Sequence, residues 1–569
     1  MRPRGLIEPV GVVLASFLLA CLLTYPLVAK LGSVGRVDNN DGRWSIWVVS
    51  WVAHALTTDP LHVYRANIFY PHEDALTYSE ANLVQGAIGA PIWVLTKNPY
   101  ATHNFVVLIG FTLSAIGAYY FIRYLTANRY AAATAAILYA YCPYVFARTA
   151  HIQLLMIWGL PFCLLALHRL IDQPTVRRGV ELGVVLWIQG LTCAYYGIFA
   201  GMLVGLGTLF FAQARQRWTS PAYWIAIGVA FVVCVGLTAP FFWPYLQMQR
   251  ETGFGRTIED ATRYSANWQS WFASASWVHR QWLPLLQDDK GRNEFLGVVF
   301  PGIITLTFGL AGIWFGIFAP APHKVVPYDR RAPLYGAPGR DVAIFYAIAG
   351  VLAFWIALGP NAKLYLWLHD YAPLFSFLRA PERTGLVVTL CLVVLASITI
   401  TQLLSKVTHP RTLGLVVFVL AIGELVQAPL FVRNVSDYFP DSPAYTTLSH
   451  FAKAPVAEFP YWARSVDFHG HSEYMLRSTA HWFPLINGYS DHIPQDFRDQ
   501  AQILRGFPSV PAFQALQKYG VRFVVMHYNL FGDNRDRLRT LMQEDYAPYL
   551  RPLSTEGDIW LYEITGWPR

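Results

Sequence analysis

Long apolar runs separated by short polar segments make up most of the chain before residue 433. Because a helix needs about 20 apolar residues to cross a bilayer, each of these runs predicts a membrane-spanning helix. The runs lie near residues 9–31, 104–122, 130–147, 152–171, 221–243, 295–319, 342–359, 384–404 and 412–431. The pattern therefore predicts a mainly α-helical protein built as a polytopic membrane helical bundle.

Two further apolar segments leave the number of crossings open. Residues 83–96 form a short run that Gly86, Gly89 and Pro91 interrupt, and residues 180–213 are long enough for one tilted helix or two shorter ones. If the first is half-buried and the second crosses twice, or if each crosses once, the bundle has about eleven transmembrane helices. An odd number places the two ends of the chain on opposite sides of the membrane.

The distribution of arginine and lysine favours the arrangement in which residues 83–96 do not cross. With a cytoplasmic N-terminus, this arrangement keeps most short basic loops inside, as the positive-inside rule expects. The other arrangement moves four basic residues outward, namely Arg123, Arg129, Arg177 and Arg178. No small-residue cleavage site follows the first apolar run, so we interpret it as a retained signal anchor. Both arrangements place the loops 32–82, 244–293 and 360–383, together with the C-terminal segment, on the outer side of the membrane.

After residue 433 the long apolar runs give way to alternating and amphipathic patterns. VAEF (456–459), RFVVM (522–526) and DIWLYEI (558–564) predict strands. The predicted helices of this segment are residues 496–505, 511–519 and 533–545. Residues 434–569 are therefore predicted to form a small α/β extracytoplasmic domain that follows a transmembrane module of residues 1–433.

Composition supports a membrane protein and narrows its partners. Apolar residues make up 54% of the chain, charged residues 14%, and the mean hydropathy is +0.33. Residues 1–433 contain 31 Lys and Arg against 20 Asp and Glu, whereas residues 434–569 contain 12 against 15. A basic excess confined to the membrane part indicates anchoring at the inner membrane surface and no nucleic-acid partner. The six cysteines all lie in apolar stretches, so no disulfide framework and no CxxC metal site is predicted.

Acidic residues are concentrated where the first helix leaves the membrane, in the segment DNNDGRW. Asp41, with Asp38 as a second candidate, is suited to act as a general base on an acceptor hydroxyl or to anchor a metal ion. Glu80, at the end of the same loop, is a third candidate acid. The alternatives are structural, since Asp41 is also a good N-cap for the next helix and Glu80 a good first-turn acid beside a Ser79 cap.

Tryptophans mark one face of the helix that begins near Asp41. Trp44, Trp47 and Trp51 are spaced i, i+3 and i+7, which predicts a helix lying in the membrane interface with its rings at headgroup level. We expect Trp44 and Trp47 to line a cavity or acceptor site. Two further residues, His151 and Glu294, are assigned to that lining. Each also has a structural explanation: His151 as an interfacial hydrogen-bonding residue, and Glu294 as a first-turn acid of the next helix.

Two arginines precede the predicted helix at 384–404, in FLRAPERTG. Arg379 and Arg383 are four residues apart. Each guanidinium group can donate two hydrogen bonds to a phosphate, so the two arginines are suited to bind one. Arg256 is a weaker candidate for the same task. Lipid headgroup binding or pairing with Glu382 would explain the two arginines equally well.

Other chemistries find little support. The chain contains no GxSxG, Walker or dinucleotide-binding motif, so hydrolase, transport ATPase and redox functions are not indicated. The C-terminal histidines include an HxH pair, but without cysteine or HExxH we predict no metal site there. The histidines are His469, His471, His481 and His492. No cofactor is certain, and a divalent cation, Mg²⁺ or Mn²⁺, stays open.

At the level of family, the chain resembles the GT-C superfamily, polytopic membrane glycosyltransferases that take a sugar from a polyprenyl-phosphate carrier. The resemblance rests on DNNDGRW, on the long first outer loop with a membrane-parallel helix, on NIFYPHEDALTYSEANL and on the many-helix body. GRNEFLGVVFPG and LRAPERTG are similar to segments of uncharacterised bacterial members with a soluble tail. The resemblance implies a catalytic carboxylate in the first loop, here Asp41 or Asp38, with Glu80 as a second acid.

The leading hypothesis is a glycosyltransferase in a bacterial inner membrane, with its active site on the outer face and a polyprenyl-phosphate sugar donor and membrane lipid as partners. Transfer of a hexosyl or pentosyl group to an envelope acceptor would use Asp41 as the base and Arg379 and Arg383 at the lipid phosphate. One alternative is a non-catalytic assembly or transport factor for envelope polysaccharide or lipid, and another is a lipid-headgroup transferase. The scarcity of charge within the spans argues against a transporter. The sequence leaves the oligomeric state unknown.

Overall fold

The computed structural model describes residues 4–281, 297–319, 339–372 and 375–569. Contacts divide the chain into two compact units. The first unit comprises Met1–Ala29, Val107–Phe242 and Gly255–Leu430, and the second comprises Lys30–Val106, Trp243–Phe254 and Phe431–Arg569. The C-terminal segment thus forms one unit with residues 30–106, which the predicted division at residue 433 assigns to the transmembrane module.

Helices account for most of the described residues. In chain order the α-helices are α1 (Arg4–Leu23), α2 (Asn40–Thr58), α3 (Leu83–Thr96), α4 (Pro99–Thr126), α5 (Arg129–Ala140), α6 (Pro143–Ala147), α7 (Ile152–Leu155), α8 (Gly159–Asp172), α9 (Val176–Thr192), α10 (Ala194–Ala214), α11 (Pro221–Thr252), α12 (Ile258–Arg263), α13 (Ile303–Phe318), α14 (Arg340–Ala357), α15 (Leu364–Tyr371), α16 (Gly385–Lys406), α17 (Pro410–Leu425), α18 (Pro443–Ser449), α19 (His471–Arg477), α20 (Gln495–Leu504), α21 (Val510–Lys518) and α22 (Arg535–Gln543). The strands are β1 (Val34–Gly35), β2 (Arg433–Asn434), β3 (Val456–Phe459), β4 (Phe523–His527), β5 (Leu550–Ser554) and β6 (Ile559–Ile564).

Several of these helices could cross a membrane. Among the described residues, six stretches are long and apolar enough, namely Pro99–Thr126, Arg129–Ala147, Ala194–Ala214, Pro221–Thr252, Arg340–Ala357 and Pro381–Lys406. Shorter apolar helices are Ile7–Leu23, Leu83–Thr96 and Ile303–Phe318. The chain is therefore a multi-pass membrane protein, and the number of eleven crossings stays a prediction.

The two ambiguous segments take definite local structures. The segment 180–213 is divided between α9 and α10, which meet at Cys193, where the backbone is extended. Residues 83–96 form the single helix α3, and its glycines do not interrupt it. A Cβ at Gly86 would lie 2.3 Å from Val52 Cγ1, so glycine allows α3 to pack closely against α2.

Helix α16 is the centre of the first unit. It is buried along most of its length and packs against α5, α13 and α14. At Gly312 of α13 a Cβ would lie 2.0 Å from Leu395 O of α16, so the two backbones approach as closely as small residues permit in membrane helices. In contrast, α11 is largely unburied in its most apolar stretch, which is what a helix surrounded by lipid requires.

An ion-pair network joins three helices of the first unit. Arg215 at the end of α10 donates to Asp172 of α8 at 2.6 Å and to Asp341 of α14 at 2.8 Å. Tyr124 of α4 also donates to Asp172. A single guanidinium thus binds two carboxylates, which fixes the ends of these helices together.

A four-stranded sheet forms the centre of the second unit. The strand order is β3-β4-β6-β5, with β3 parallel to β4 and the other neighbours antiparallel. The core on this sheet includes Leu448, Val456, Phe483, Phe523 and Leu561. The three predicted strands and three predicted helices of the segment all occur; β3 has the predicted bounds, and the bounds of the others differ by at most two residues.

The segment between α2 and α3 is attached to the C-terminal residues by backbone hydrogen bonds. Tyr70 N–H donates to Leu485 O at 2.8 Å and Phe69 N–H to Asn487 O at 3.1 Å. Strand β1 pairs with β2, and α2 packs against α19. These contacts explain why residues 30–106 belong to the same unit as the C-terminal segment.

Candidate functional site

The acidic segment begins with a tight turn that leads into α2. Asn39 caps this helix, because its Oδ1 accepts from the Gly42 N–H at 2.7 Å. Asp41 lies in the first turn and is exposed, so the alternative that Asp41 is the N-cap is wrong. A Cβ at residue 42 would lie 1.9 Å from Arg36 O, so only glycine fits this turn. A carboxylate in the first turn also interacts favourably with the helix dipole.

Asp38 lies in the same turn but has a different environment. Arg36 Nε donates to Asp38 Oδ1 at 3.1 Å, and the two side chains are 10% and 18% exposed. The guanidinium of Arg36 also lies over the ring of Phe431, at 5.3 Å. Asp38 is therefore part of a half-buried ion pair that stabilises the turn, which leaves Asp41 as the more accessible of the two carboxylates.

Glu80 lies before α3, so the alternative that it is a first-turn acid of that helix is wrong. The N-cap of α3 is Asn82, whose φ is 55° and whose Nδ2 donates to Glu80 O at 2.7 Å. The Tyr245 hydroxyl accepts from the Ala81 N–H at 2.8 Å and donates to Ser79 O at 3.1 Å. Because one hydroxyl binds the backbone on both sides of Glu80, the position of this acid is fixed by Tyr245.

The tryptophan face of α2 is a core face. Trp44 is 8% exposed, Trp47 1% and Trp51 9%, and Trp51 Nε1 donates to Val63 O at 2.9 Å. The prediction that these rings lie at headgroup level is therefore wrong. The reason is that α3 and α19 pack against α2, and a stripe spaced i, i+3, i+7 suits a protein core as well as an interface. The lining role of Trp44 and Trp47 stays a prediction.

A cluster of arginines and tyrosines lies within the first unit. We define the arginine cluster as Arg148, Arg379 and Arg383 with Glu382 and Tyr195. Arg148, which follows α6, donates from Nη2 to Glu382 Oε1 at 2.6 Å, and the two side chains are 8% and 4% exposed. This buried pair joins the α6–α7 segment to the turn that precedes α16.

Tyr195 contacts the other two arginines of the cluster. The guanidinium carbon of Arg383 lies 4.1 Å from the centre of the Tyr195 ring, and the backbone N–H of Arg379 donates to the Tyr195 hydroxyl at 3.1 Å. The guanidinium of Arg379 lies over Tyr264, at 5.5 Å. Tyr195, in the first turn of α10, thus contacts the guanidinium of Arg383 and the backbone at Arg379.

The remaining predicted residues fall at different places. His151 begins the segment of α7, and its N–H donates to Arg148 O at 2.8 Å, so it belongs to the same loop as the arginine cluster. Arg256 is half-exposed in the loop before α12. Glu294 lies outside the described residues.

The arginine cluster has the donors that a phosphate group requires. Its members carry three guanidinium groups and one carboxylate, and the carboxylate is already paired with Arg148. Guanidinium groups present planar pairs of N–H donors that match phosphate oxygens. The low exposure of the Arg148–Glu382 pair also reduces screening by water, which strengthens charge interactions nearby.

We expect Arg148→Met to destabilise the first unit by about 3–5 kcal/mol, because it leaves the Glu382 carboxylate buried without its cation. Arg148→Met combined with Glu382→Leu removes both charges and should restore most of the loss. Thermal unfolding of the purified protein in detergent measures both variants. A single variant as stable as the wild type would contradict the importance of this pair.

A second concentration of buried titratable groups lies in the second unit. Glu458 of β3 accepts from the Tyr445 hydroxyl at 2.6 Å and contacts His527 Nε2 of β4 at 2.7 Å. Burial raises the pKa of Glu458 from 4.5 to about 8 and lowers the pKa of His527 from 6.5 to about 3. Burial also lowers the pKa of His471 and His481 to about 3. Since Glu458 and His527 are essentially inaccessible to water, this cluster serves stability.

The pH dependence of stability follows from these directions. Neutral Glu458 contributes to the free energy of unfolding, and this contribution is complete below pH 4.5 and lost as the pH rises through 8. The buried neutral histidines contribute in the opposite direction, because their contribution is lost as the pH falls below 6.5. We therefore expect greatest stability near pH 6.5 and a loss of about 2 kcal/mol between pH 6.5 and 8. Glu458→Gln should abolish that alkaline loss in thermal unfolding of the full chain. An equal loss in the variant would show that another group titrates.

Metal binding is not indicated by the arrangement of side chains. Among the residues that the structure describes, no group of three or more His, Cys, Asp or Glu side chains could hold a metal ion. His471 instead bonds to Trp462 O and to Asn487 Nδ2, at 3.0 and 3.1 Å. A divalent cation stays an untested prediction.

Three residues of the arginine cluster were not assigned to a site from the sequence. Arg148 is the one Arg, Lys, Asp or Glu between Arg129 and Arg169, and this isolation within an apolar region was a usable signal. Glu382 was considered only as a partner of its neighbours in sequence, and its partner Arg148 is 234 residues away. Tyr195 carried no signal beyond its place in a tyrosine pair at 195–196.

The chain resembles solved membrane glycosyltransferase structures. The mycobacterial arabinofuranosyltransferase AftD is 14% identical, with 97% of this chain and 41% of that chain covered at a TM-score of 0.58. The Archaeoglobus fulgidus oligosaccharyltransferase in its apo form is 13% identical, with 93% and 71% covered at 0.46. ArnT from Cupriavidus metallidurans bound to undecaprenyl phosphate is 12% identical, with 98% of each chain covered at 0.40.

The likeness to AftD shows that the chain has the fold of that protein. The chain spans about two fifths of the length of AftD. Comparison with curated proteins finds no match. The family described as "Domain of unknown function (DUF6311)" matches residues 17–428, which is most of the chain, and the chain belongs to this family.

Proposed function

We propose that the chain is a membrane glycosyltransferase that transfers a sugar from a polyprenyl-phosphate-linked donor to an envelope acceptor at the outer face of a bacterial inner membrane. The observation that carries this proposal is the arginine cluster. The guanidinium of Arg383 is stacked on Tyr195, and the backbone N–H of Arg379 donates to the hydroxyl of the same tyrosine, so one side chain supports both arginines in a membrane unit. A lipid-linked phosphate is the ligand that matches cations in such a place.

The fold supports the proposal. AftD, whose fold this chain shares along 97% of its length, is an arabinofuranosyltransferase. Fold alone does not determine activity, so the arginine cluster supplies the chemical part of the argument. Whether the transferred group is a pentosyl or a hexosyl group is left to the assay.

The proposed reaction is a single displacement. The acceptor hydroxyl oxygen attacks the anomeric carbon, the bond from that carbon to the phosphate oxygen breaks, and the polyprenyl phosphate leaves with the bonding electrons. Asp41 takes the proton of the hydroxyl, and Arg379 and Arg383 stabilise the negative charge that develops on the phosphate. The configuration at the anomeric carbon is inverted.

The topology belongs to the same proposal. A cytoplasmic N-terminus, about eleven crossings and an extracytoplasmic C-terminal α/β domain would place Asp41 and both arginines on the outer side. Cysteine labelling at single introduced positions in the loops tests this arrangement. Labelling of residues 434–569 from the cytoplasmic side would contradict it.

Transfer from radiolabelled polyprenyl-phosphate sugars tests the function directly. The purified full chain is incubated with arabinosyl, mannosyl and glucosyl donors and with envelope glycan, and both labelled glycan and released polyprenyl phosphate are measured. We expect transfer from at least one donor. No transfer and no release from any of them would favour a non-catalytic assembly factor.

A further inference from the structure

Three basic side chains from separate parts of the chain form a patch on the surface of the second unit. We define the basic patch as His54, Lys97 and Lys453. His54 lies in the last part of α2, Lys97 is the C-cap of α3, and Lys453 precedes β3. Both lysines are exposed and His54 is half-buried, so a ligand can reach all three side chains from the surface.

Tryptophans beneath the basic patch hold the imidazole of His54 in one orientation. The His54 ring is stacked on Trp482, with ring centres 4.9 Å apart and planes 10° from parallel. The edge of Trp93 completes the arrangement, with its ring centre 6.2 Å from His54 and 5.7 Å from Trp482. Lys97 Nζ lies 5.5 Å from the centre of the Trp93 ring. Because Trp93 and Trp482 are 2% and 8% exposed, they form a fixed base for the polar groups above them.

The charges of the basic patch are not balanced by acids. Burial, and after it the positive charges of Lys453 and Lys97, lower the pKa of His54 from 6.5 to about 4. The imidazole is therefore neutral at pH 7, and both ammonium groups are close enough to act on the same ring. Within the part of the chain that the structure describes, neither lysine forms an ion pair with a carboxylate. The basic patch therefore attracts anions.

Exposed apolar side chains border the basic patch. Val94 and Leu95, in the last turn of α3, are 51% and 80% exposed. Helix α4, which is long enough to cross a membrane, begins at Pro99, two residues after Lys97. Basic groups beside exposed apolar surface are typical of protein segments that meet the headgroups of a membrane.

The basic patch distinguishes among classes of ligand. A cation would be repelled by both lysines, and a neutral sugar would leave their charges uncompensated. A carboxylate offers two oxygens. A phosphate group offers three acceptor oxygens and a larger negative charge, which suits two ammonium groups together with the N–H of a neutral imidazole.

We propose that the basic patch binds a phosphate group, with Lys97 and Lys453 donating to its oxygens and the imidazole N–H of His54 donating a third hydrogen bond. The phosphate is either that of an anionic lipid, whose acyl chains would lie against Val94 and Leu95, or free phosphate. The basic patch and the arginine cluster belong to different units. Because phosphate binding requires no sugar transfer, the inference goes beyond the proposed function.

Binding to the purified full chain in detergent tests the site. The probes are inorganic phosphate, measured by isothermal titration calorimetry, and dioleoylphosphatidylglycerol, measured by native mass spectrometry. We expect at least one of them to bind, with an affinity about tenfold lower in Lys97→Gln and in Lys453→Gln, because each variant loses one charge-assisted hydrogen bond. His54→Phe keeps a ring stacked on Trp482 and loses the N–H donor, so a smaller loss of affinity is expected.

Two controls separate the basic patch from general attraction. Lys518→Gln removes an exposed lysine of the same unit whose Nζ lies 5.9 Å from the centre of the Tyr519 ring, and it should bind as the wild type does. Dioleoylglycerol has the same acyl chains as the lipid probe but no phosphate, and it should bind far more weakly.

The two probes also identify the source of the phosphate. Binding of the lipid without binding of inorganic phosphate supports a lipid headgroup, whereas binding of inorganic phosphate shows that the phosphate group alone is sufficient. Four results would overturn the inference: no binding of either probe, undiminished affinity in both lysine variants of the basic patch, an equal loss in Lys518→Gln, or equally tight binding of dioleoylglycerol. Sugar transfer is measured separately, so none of these results bears on the proposed function.

Discussion

Replacing Asp41 by asparagine is expected to reduce sugar transfer by about 10²- to 10⁴-fold, which is the usual contribution of a general base. The change keeps the size and polarity of the side chain and removes only the ability to accept the proton. Turnover of the best polyprenyl-phosphate donor, followed as labelled glycan, measures the loss. The pH profile gives a second readout, because the acidic limb set by the carboxylate should disappear in the variant.

Two neighbouring residues provide controls for this expectation. Asn39→Ala removes the cap of α2 and should lower stability by about 1 kcal/mol while leaving the Asp41 carboxylate in place. Asp38→Asn removes the partner of Arg36 and should likewise affect stability more than turnover. If Asp41→Asn keeps full turnover and Asp38→Asn does as well, the proposed role of this segment in proton transfer is refuted.

Local features of the fold could be predicted from the sequence. The apolar runs predict the positions of the membrane helices because the length that a bilayer requires is read directly from composition. Strands β3, β4 and β6 follow from short β-branched and aromatic runs between turn residues. The break between α9 and α10 at Cys193 could not be resolved, because a segment of that length is compatible with one helix or two.

Contacts between distant residues could not be predicted. Periodicity places Trp44, Trp47 and Trp51 on one face, but it does not distinguish a lipid interface from the core that α3 and α19 provide. The cap of α2 lies two residues before the expected Asp41, at Asn39, and helix boundaries are commonly uncertain by that amount. The sequence shows the spacing of Arg379 and Arg383, but it does not show that Tyr195 contacts both of them.

Replacing Arg383 by alanine is expected to reduce turnover by about 10²- to 10³-fold, because a preorganised cation at a developing negative charge is worth that much in other active sites. The loss should appear in kcat rather than in KM for the donor, since the charge on the phosphate grows as the bond to the sugar breaks. Arg383→Lys keeps the charge but loses the planar group that stacks on Tyr195, so an intermediate rate is expected.

Variants of Tyr195 separate positioning from charge. Tyr195→Phe keeps the ring beneath Arg383 and removes only the oxygen that accepts from the Arg379 N–H, whereas Tyr195→Ala removes both supports. If Tyr195 positions the two cations, alanine should lower kcat nearly as much as Arg383→Ala, and phenylalanine much less. Arg411→Ala removes a positive charge from an exposed position of the same unit and should leave turnover unchanged. Equal losses in Arg411→Ala and Arg383→Ala would mean that net charge, and not the arginine cluster, determines the rate.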